Sequence, residues 1–323
     1  MNANGRTCWV VTDGKPGMEN QCLGLAEAMG LAPTVKRIAL RAPWKQLSPA
    51  VLRIGNCWAL APHGDRLDPP WPDVLIATGR ASVAPSLHVR SASPGTFRIQ
   101  IQDPAVRPSL FDLVVVPRHD RLRGTNVLVT RGALHRVTPA IVADAAARLG
   151  PAYAHLPHPR VAVLVGGSNG AYTLTPEIMA DFAGKLAAMA RESGAGLLVT
   201  PSRRTGAENE AILRRALAGL PAAIWDGNGE NPYFALLGLA DAIVATPDSV
   251  NMVCEAATTG KPVYVAELPG GSRKFDAFHQ GLREDGVTRP FEGRLERWDY
   301  APLDDTARVA AEALRRMTRA FAP

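Results

Sequence analysis

Short apolar runs recur along this chain, each closed by a polar, glycine-containing turn and followed by a stretch with apolar residues at helical spacing. Thr7 to Thr12 is the first run. Asp13-Gly14-Lys15-Pro16-Gly17 closes it, and Glu19 to Met29 then carries Cys22, Leu25, Ala26 and Met29 on one helical face before Gly30. Strands that alternate with helices need crossover connections, so the pattern predicts parallel α/β architecture. Further strands are expected at Thr34 to Leu40, Asp73 to Thr78, Thr96 to Gln102, Phe111 to Pro117 and Asn126 to Thr130. The alternation weakens at 150–159, where Gly150-Pro151, Pro157 and Pro159 suggest an interdomain linker. A second series begins at Val161 to Val165 and runs through the strands Gly196 to Thr200, Ala222 to Asp226, Ala242 to Thr246 and Pro262 to Glu267. Domains are therefore expected at 1–150 and 151–304. The last helix, Asp305 to Arg319, has an apolar face of Val309, Ala313, Leu314 and Met317, and residues 305–323 are expected to pack back on the first domain.

A chain of 323 residues suits two domains, and 46% apolar with 20% charged residues is globular composition. The longest largely apolar run, Tyr233 to Ala240, has eight residues. That is far short of the roughly 20 that span a bilayer. The N-terminal residues read straight into a strand pattern, so the expected location is cytoplasmic, with peripheral contact at the inner membrane face as the alternative. Of the 36 basic residues only six are lysine, and the net charge is +6. Guanidinium forks suit phosphate and carboxylate. The arginines are scattered rather than striped between aromatics, which argues against nucleic acid as a partner. Cys8, Cys22, Cys57 and Cys254 form no metal-binding spacing and read as small core residues of a reducing compartment. No metal site is expected.

Four segments could carry chemistry. Gly166-Gly167-Ser168-Asn169-Gly170 follows a buried strand, and the backbone amides of such a turn can cradle phosphate. It is neither a P-loop nor a dinucleotide fingerprint, and a tight strand–loop turn is the plain alternative. Asp248-Ser249-Val250-Asn251 opens a helix whose free amides attract a diphosphate, and Glu255 further along could accept hydrogen bonds from a ribose diol. Asp13 to Gln21 joins the first strand to the first helix, with Lys15, Asn20 and Gln21 as candidate anion or polar-ligand contacts. Arg203 and Arg204, in Thr200-Pro201-Ser202-Arg203-Arg204, lie where open α/β sheets place ligands. Asp13, Asp103 and His119, at predicted strand ends, are candidate general bases.

Together these segments carry a resemblance. Thr12-Asp13-Gly14-Lys15-Pro16-Gly17, Glu19-Asn20-Gln21, Ile101-Gln102-Asp103-Pro104, Gly166-Gly167-Ser168-Asn169, Thr200-Pro201-Ser202-Arg203-Arg204, Asn231-Pro232-Tyr233 and Asp248-Ser249-Val250-Asn251-Met252 resemble the mitochondrial fission protein family over about residues 7–320. That family is named for a plant protein whose loss elongates mitochondria, and it has many bacterial members. Met18 stands where the family pattern has His or Ser, so no catalytic role is expected there. The plant role, recruitment of a fission GTPase, is not expected to transfer to a chain whose Arg- and Ala-rich composition looks bacterial. The second half is also similar to the donor domain of GT-B nucleotide-sugar glycosyltransferases, on the Gly-Gly-Ser-x-Gly loop, the Ser-capped helix with Glu255 and the following Gly-Lys-Pro-Val.

The resemblance implies two Rossmann-like domains facing a cleft, GT-B-like, and transfer of a sugar from a nucleotide diphosphate donor to an unknown, envelope-related acceptor. No bound cofactor is implied; the nucleotide sugar is substrate. Gly166, Gly167, Ser168, Asn169, Arg203, Arg204, Ser249, Val250, Asn251 and Glu255 would hold the donor. Lys15, Asn20 and Gln21 would hold the acceptor, and Asp13, Asp103 or His119 would take the acceptor proton. The rival readings are a nucleotide-sugar epimerase on the same fold and a non-catalytic adaptor.

Overall fold

A computed structural model describes residues 5–42 and 60–321. Cys57 lies outside the described residues. The chain divides into two compact units, 1–136 with 304–323 and 137–303, each with its own parallel sheet.

The first unit holds β1 (Cys8–Thr12), α1 (Pro16–Ala28), β2 (Pro33–Arg37), β3 (Val74–Thr78), α2 (Val83–Ala92), β4 (Phe97–Ile101), β5 (Leu113–Pro117) and β6 (Val127–Thr130). Its sheet has the order β2-β1-β3-β4-β5-β6, and every pairing is parallel. β1, β3 and β4 are buried at every residue. That is the mark of strands covered on both faces, and it explains their continuous apolar runs. The second unit holds α3 (Pro139–Leu149), β7 (Arg160–Val165), α4 (Pro176–Ser193), β8 (Gly196–Pro201), α5 (Ala207–Ala216), β9 (Ala222–Ile224), α6 (Tyr233–Leu239), β10 (Ala242–Ala245), α7 (Val250–Ala257), β11 (Val263–Val265), α8 (Arg273–Glu284) and β12 (Thr288–Pro290). Its order is β12-β11-β10-β7-β8-β9, again parallel throughout. The fold class expected from sequence, α/β with two Rossmann-like halves, is the one observed.

The helix ends follow their residues. α4 starts at Thr175, whose hydroxyl accepts from the Ile178 amide at 3.4 Å with Pro176 in the first turn, and it stops at Gly194 in the left-handed region (φ 67°). The last helix, α9 (Asp305–Ala320), belongs to the first unit. Its Val309, Ala310, Ala313 and Met317 share one core with Val10, Leu25, Met29 and Ile76.

The stretch 150–159 differs from the expected linker. Residues 150–153 form a short 3-10 turn, Leu156 is buried, and the Pro157 carbonyl accepts from Gly196 at 3.2 Å. The prolines stop a helix there without releasing the chain from the second unit. The preceding helix α3, capped by Thr138 onto Ile141, packs on α6 and so also joins the second unit, which places the division near 136 rather than 150.

Both sheets reverse their strand order once. In the first, β1 is followed on one side by β2 and on the other by β3; in the second, β7 is followed by β8 and flanked by β10. The carboxyl ends of strands at such a reversal form the crevice where open α/β sheets take ligands.

Candidate functional site

In the second unit the register brings three of the sequence segments to one edge. Leu164 pairs with Thr200 and with Ala245, so the loops after β7, β8 and β10 begin side by side. Asp248 ties them together. Its side chain is fully buried; its carboxylate accepts from the Gly167 amide at 3.1 Å and from the Thr246 hydroxyl at 2.6 Å, and pairs with Arg204 at 2.7 Å. The Gly166 amide donates to the Thr246 hydroxyl at 2.8 Å. Ser202 and Thr205 hydroxyls both donate to the Gly166 carbonyl, at 2.9 and 2.5 Å.

This network explains the glycines. A Cβ at 166 would sit 2.2 Å from the Asp248 carboxylate, and one at 167 would sit 2.0 Å from the Arg204 carbonyl oxygen. It also spends groups that sequence assigns to a phosphate. The Gly166 and Gly167 amides are bonded within the protein, and Arg204 is committed to Asp248. Asn169 braces the turn: its Nδ2 donates to the Asp248 carbonyl at 2.9 Å, and its Oδ1 accepts from Ala171 and Tyr172 at 2.7 and 2.9 Å. The Ser168 hydroxyl accepts from Leu174 at 2.9 Å. Arg203 is exposed at the rim. Asp248, absent from the candidate donor contacts, is the organising residue. The sequence signal for it was a carboxylate two positions beyond a strand end, beside a cap serine.

Ser249 caps α7, accepting from Met252 at 3.4 Å, with Val250 and Asn251 in the first turn. The helix amides there point out of the same edge, and the helix dipole favours an anion. Glu255, one turn on, is 8% exposed, and its carboxylate accepts from the Tyr233 hydroxyl at 2.5 Å. Burial pushes its carboxyl up to about 7, against the opposing pull of the tyrosine hydrogen bond. The Tyr233 hydroxyl is held well above its ordinary value, first by burial and then by the Glu255 charge. Lys261 of the Gly-Lys-Pro segment donates to the Leu237 and Gly238 carbonyls at 2.6 and 2.7 Å, closing the C-terminus of α6, and burial lowers its amine to about 8.

In the first unit the candidate residues also lie at carboxyl ends, but spread along the sheet. Asp13 follows β1 and bonds Lys15, whose side chain is 74% exposed. Asn20 is half-buried, Gln21 is buried, and neighbouring Glu19 pairs with Arg37 at 2.8 Å. Asp103 follows β4 and accepts from Ala105 at 2.8 Å in a local turn. His119 is half-buried after β5. With strands about 4.8 Å apart, Asp103 stands two strands from Asp13, about 10 Å, and His119 three strands away, about 14 Å. The three do not converge on one position. Gln102 was missed as a conformational feature: it holds a left-handed backbone (φ 72°), and its amide meets the Met18 sulfur at 3.3 Å. Met18 in turn lies where a Cβ on Gly79 would be, 2.3 Å from its methyl carbon. Met18 is thus a packing residue between the first and third strand ends.

No helix of the described residues is long and apolar enough to cross a membrane.

Comparison with known proteins places this geometry. The chain is 32% identical over 274 residues to the mitochondrial fission protein ELM1 of Arabidopsis thaliana, covering 76% of this chain and 64% of the plant protein. The match thus spans less than two thirds of that relative's length. Among solved structures it is similar to MurG of Acinetobacter baumannii, with a TM-score of 0.51 and 13% identity over 98% of this chain and 94% of that one. It is also similar to the UDP-GlcNAc 2-epimerase of Methanocaldococcus jannaschii in complex with UDP-GlcNAc and UDP, with a TM-score of 0.54 and 9% identity over 97% and 99%. At those identities the likeness is one of fold, the GT-B type. The profile described as mitochondrial fission ELM1 matches residues 16–317, nearly the whole chain, and the protein belongs to that family.

Proposed function

We propose that the protein binds a nucleotide diphosphate sugar on its second unit and transfers the sugar to an acceptor. The observation that carries this reading is the N-terminus of α7 opening at the strand reversal between β7 and β10, with Arg203 exposed on the adjoining loop. A diphosphate there meets a helix dipole and a guanidinium. In transfer, the acceptor oxygen forms a bond to the anomeric carbon as the bond from that carbon to the diphosphate breaks. The electron pair leaves with the diphosphate, whose growing charge the α7 amides and Arg203 stabilise. The acceptor proton passes to a base. Asp13 or Asp103 in the first unit is the candidate, with Lys15 and Asn20 as acceptor contacts. Asp248 keeps the three loops in place, and Glu255, on α7 itself, is buried with one carboxylate oxygen taken by the Tyr233 hydroxyl, so a ribose that reaches it competes with that hydrogen bond. No resident metal or cofactor enters this reading.

Two rivals share the fold. An epimerase would need no acceptor. A non-catalytic nucleotide-sugar-binding adaptor is favoured by one observation, the dispersal of Asp13, Asp103 and His119 across the sheet edge.

Calorimetric titration with uridine and guanosine diphosphates tests the donor site. The wild type is expected to bind at least one, and Arg203→Ala to weaken it about tenfold or more, the range of a lost charged hydrogen bond. Arg203 is exposed, so the variant keeps its fold. Absence of binding to either nucleotide at millimolar concentration would remove both enzymatic readings. Product formation with and without added acceptors then separates transferase from epimerase.

A further inference from the structure

The first unit contains a cavity of about 530 Å³ that the sugar-transfer reading does not use. It lies between the C-terminal end of α2 and residues 102–112, which carry the chain from β4 to β5. Pro94 and Leu110, which line it, stand just before the first residues of β4 and β5. The cavity therefore sits at the amino edge of the sheet, the edge opposite Asp13 and Asp103. Crossovers between parallel strands usually take a dozen or more residues and run through a helix that covers the sheet. This one holds only a 3-10 turn, Pro108–Leu110. The apolar cluster of Leu87, Phe111, Val114 and Val116 is thus bordered by Val106 and Leu110, both only half-buried. Leu87, Pro94, Val106 and Leu110 supply the apolar wall of the cavity, and Arg90 and Arg107 supply its charge.

The charge narrows the class. Arg90 is half-buried and Arg107 exposed, and neither guanidinium has a hydrogen-bond or ion-pair partner among the described residues. Among the described residues that line the cavity none is acidic, and Asp112, two positions beyond Leu110, is taken by Arg98 at 2.9 Å. Two like charges brought to one cavity repel each other unless an anion lies between them. The C-terminal dipole of α2 offsets only about half a charge of the two. The unit as a whole carries the same sign, with 21 Lys and Arg against 12 Asp and Glu, whereas the second unit has 15 against 18. Such a field draws anions. The apolar wall limits the head group. A second negative charge against Leu87 and Leu110 adds desolvation cost, which favours a carboxylate over a phosphate dianion. A carboxylate also accepts from a guanidinium in a two-bond fork. Pockets for small molecules are mostly apolar with a few placed polar groups, and 530 Å³ falls within their usual range of about 300–1,000 Å³. We propose that this cavity binds a fatty-acyl carboxylate, a single chain whose tail lies on Leu87, Val106 and Leu110 while Arg90 and Arg107 hold its head. The site needs no nucleotide and stands apart from the α7 edge.

The test uses the full chain and decanoate, below its micelle concentration, in calorimetry and saturation-transfer NMR. Butyrate, decanol, decyltrimethylammonium and decyl phosphate separate the parts played by tail, charge, sign and head group. Decanoate is expected to bind about tenfold or more tightly than each of them. Arg107→Gln removes an exposed guanidinium with no protein partner to lose, so the variant keeps its fold. It is expected to weaken decanoate about tenfold and to leave decanol unchanged, and Arg90→Gln to do the same. Hydrogen exchange is expected to slow at 83–92 and 106–111 as decanoate is added. Failure of decanoate to bind at millimolar concentration, equal binding of decyltrimethylammonium, tighter binding of decyl phosphate, unchanged affinity in both arginine variants, or unmoved exchange in both segments would overturn the proposal. So would capture by phosphatidylglycerol vesicles without binding of free decanoate, which would make this surface a bilayer contact. None of these readouts involves a nucleotide, so the result is independent of the donor titration.

Discussion

At the scale of single residues, the second unit shows how a motif can be conspicuous in sequence for reasons of packing. Gly166 and Gly167 look like a phosphate turn, yet contact with Asp248 and with the Arg204 backbone excludes a side chain at both positions. Glu255 was legible as a carboxylate on the helix after a capped strand. Its partner Tyr233, 22 positions away, was not, because nothing local ties the two together. That partnership makes a prediction. With its carboxyl raised to about 7, Glu255 stays protonated in the folded protein while the unfolded chain ionises it near 4.5. The folded state then holds more protons than the unfolded one between those values, so this residue's contribution falls as pH rises from 4.5 to 7 and is level above. The loss amounts to about 3 kcal/mol. Glu255→Gln keeps an acceptor for Tyr233 and cannot ionise. Denaturant unfolding should therefore show variant and wild type nearly equal at pH 4.5, with the variant ahead by about that amount at pH 8. Parallel stability profiles across this range would contradict it.

At the scale of elements, most strands were readable because burial on both faces of a parallel sheet demands unbroken apolar runs. α8 and β12 were not: among the α8 residues Arg273 to Glu284, only Phe278, His279, Gly281 and Leu282 are buried, too sparse a stripe to stand out from polar surroundings. α3 carried a clear Thr138-Pro139 start but sat beside prolines that drew attention to a break. α9 was legible from its apolar face, whereas the polar fastening was not. Asp305 is buried, its Oδ2 accepting from the Arg131 and Gly132 amides at 2.9 and 3.0 Å and its Oδ1 pairing with Arg308 at 2.8 Å. These contacts hold a loop and a helix separated by more than 170 positions. Asp305→Ala leaves two amides without their acceptor and is expected to cost about 2–4 kcal/mol. Hydrogen exchange should quicken first in α9 and around 131–135. Unchanged protection in both segments would show that the apolar face alone holds the helix.

At the scale of the whole molecule, the two units repeat one plan with different consequences. Among the described residues each has a parallel sheet of six strands, one reversal of strand order and its own apolar core. In the second unit the reversal gathers a buried carboxylate, two glycines and a capped helix into one braced edge. In the first it leaves its charged residues at separate strand ends. Donor binding should therefore be a property of the second unit's stability. A nucleoside diphosphate at about 100 times its dissociation constant adds roughly 2.7 kcal/mol to whatever unfolds with its site. In calorimetric scans that gain is expected in the transition that also carries the Glu255 pH dependence, since Glu255 and the α7 N-terminus share one helix. The transition weakened by Asp305→Ala should move little. Equal shifts of both under the same ligand would mean that the nucleotide does not discriminate between the units, and the assignment of the donor to the α7 edge would fail.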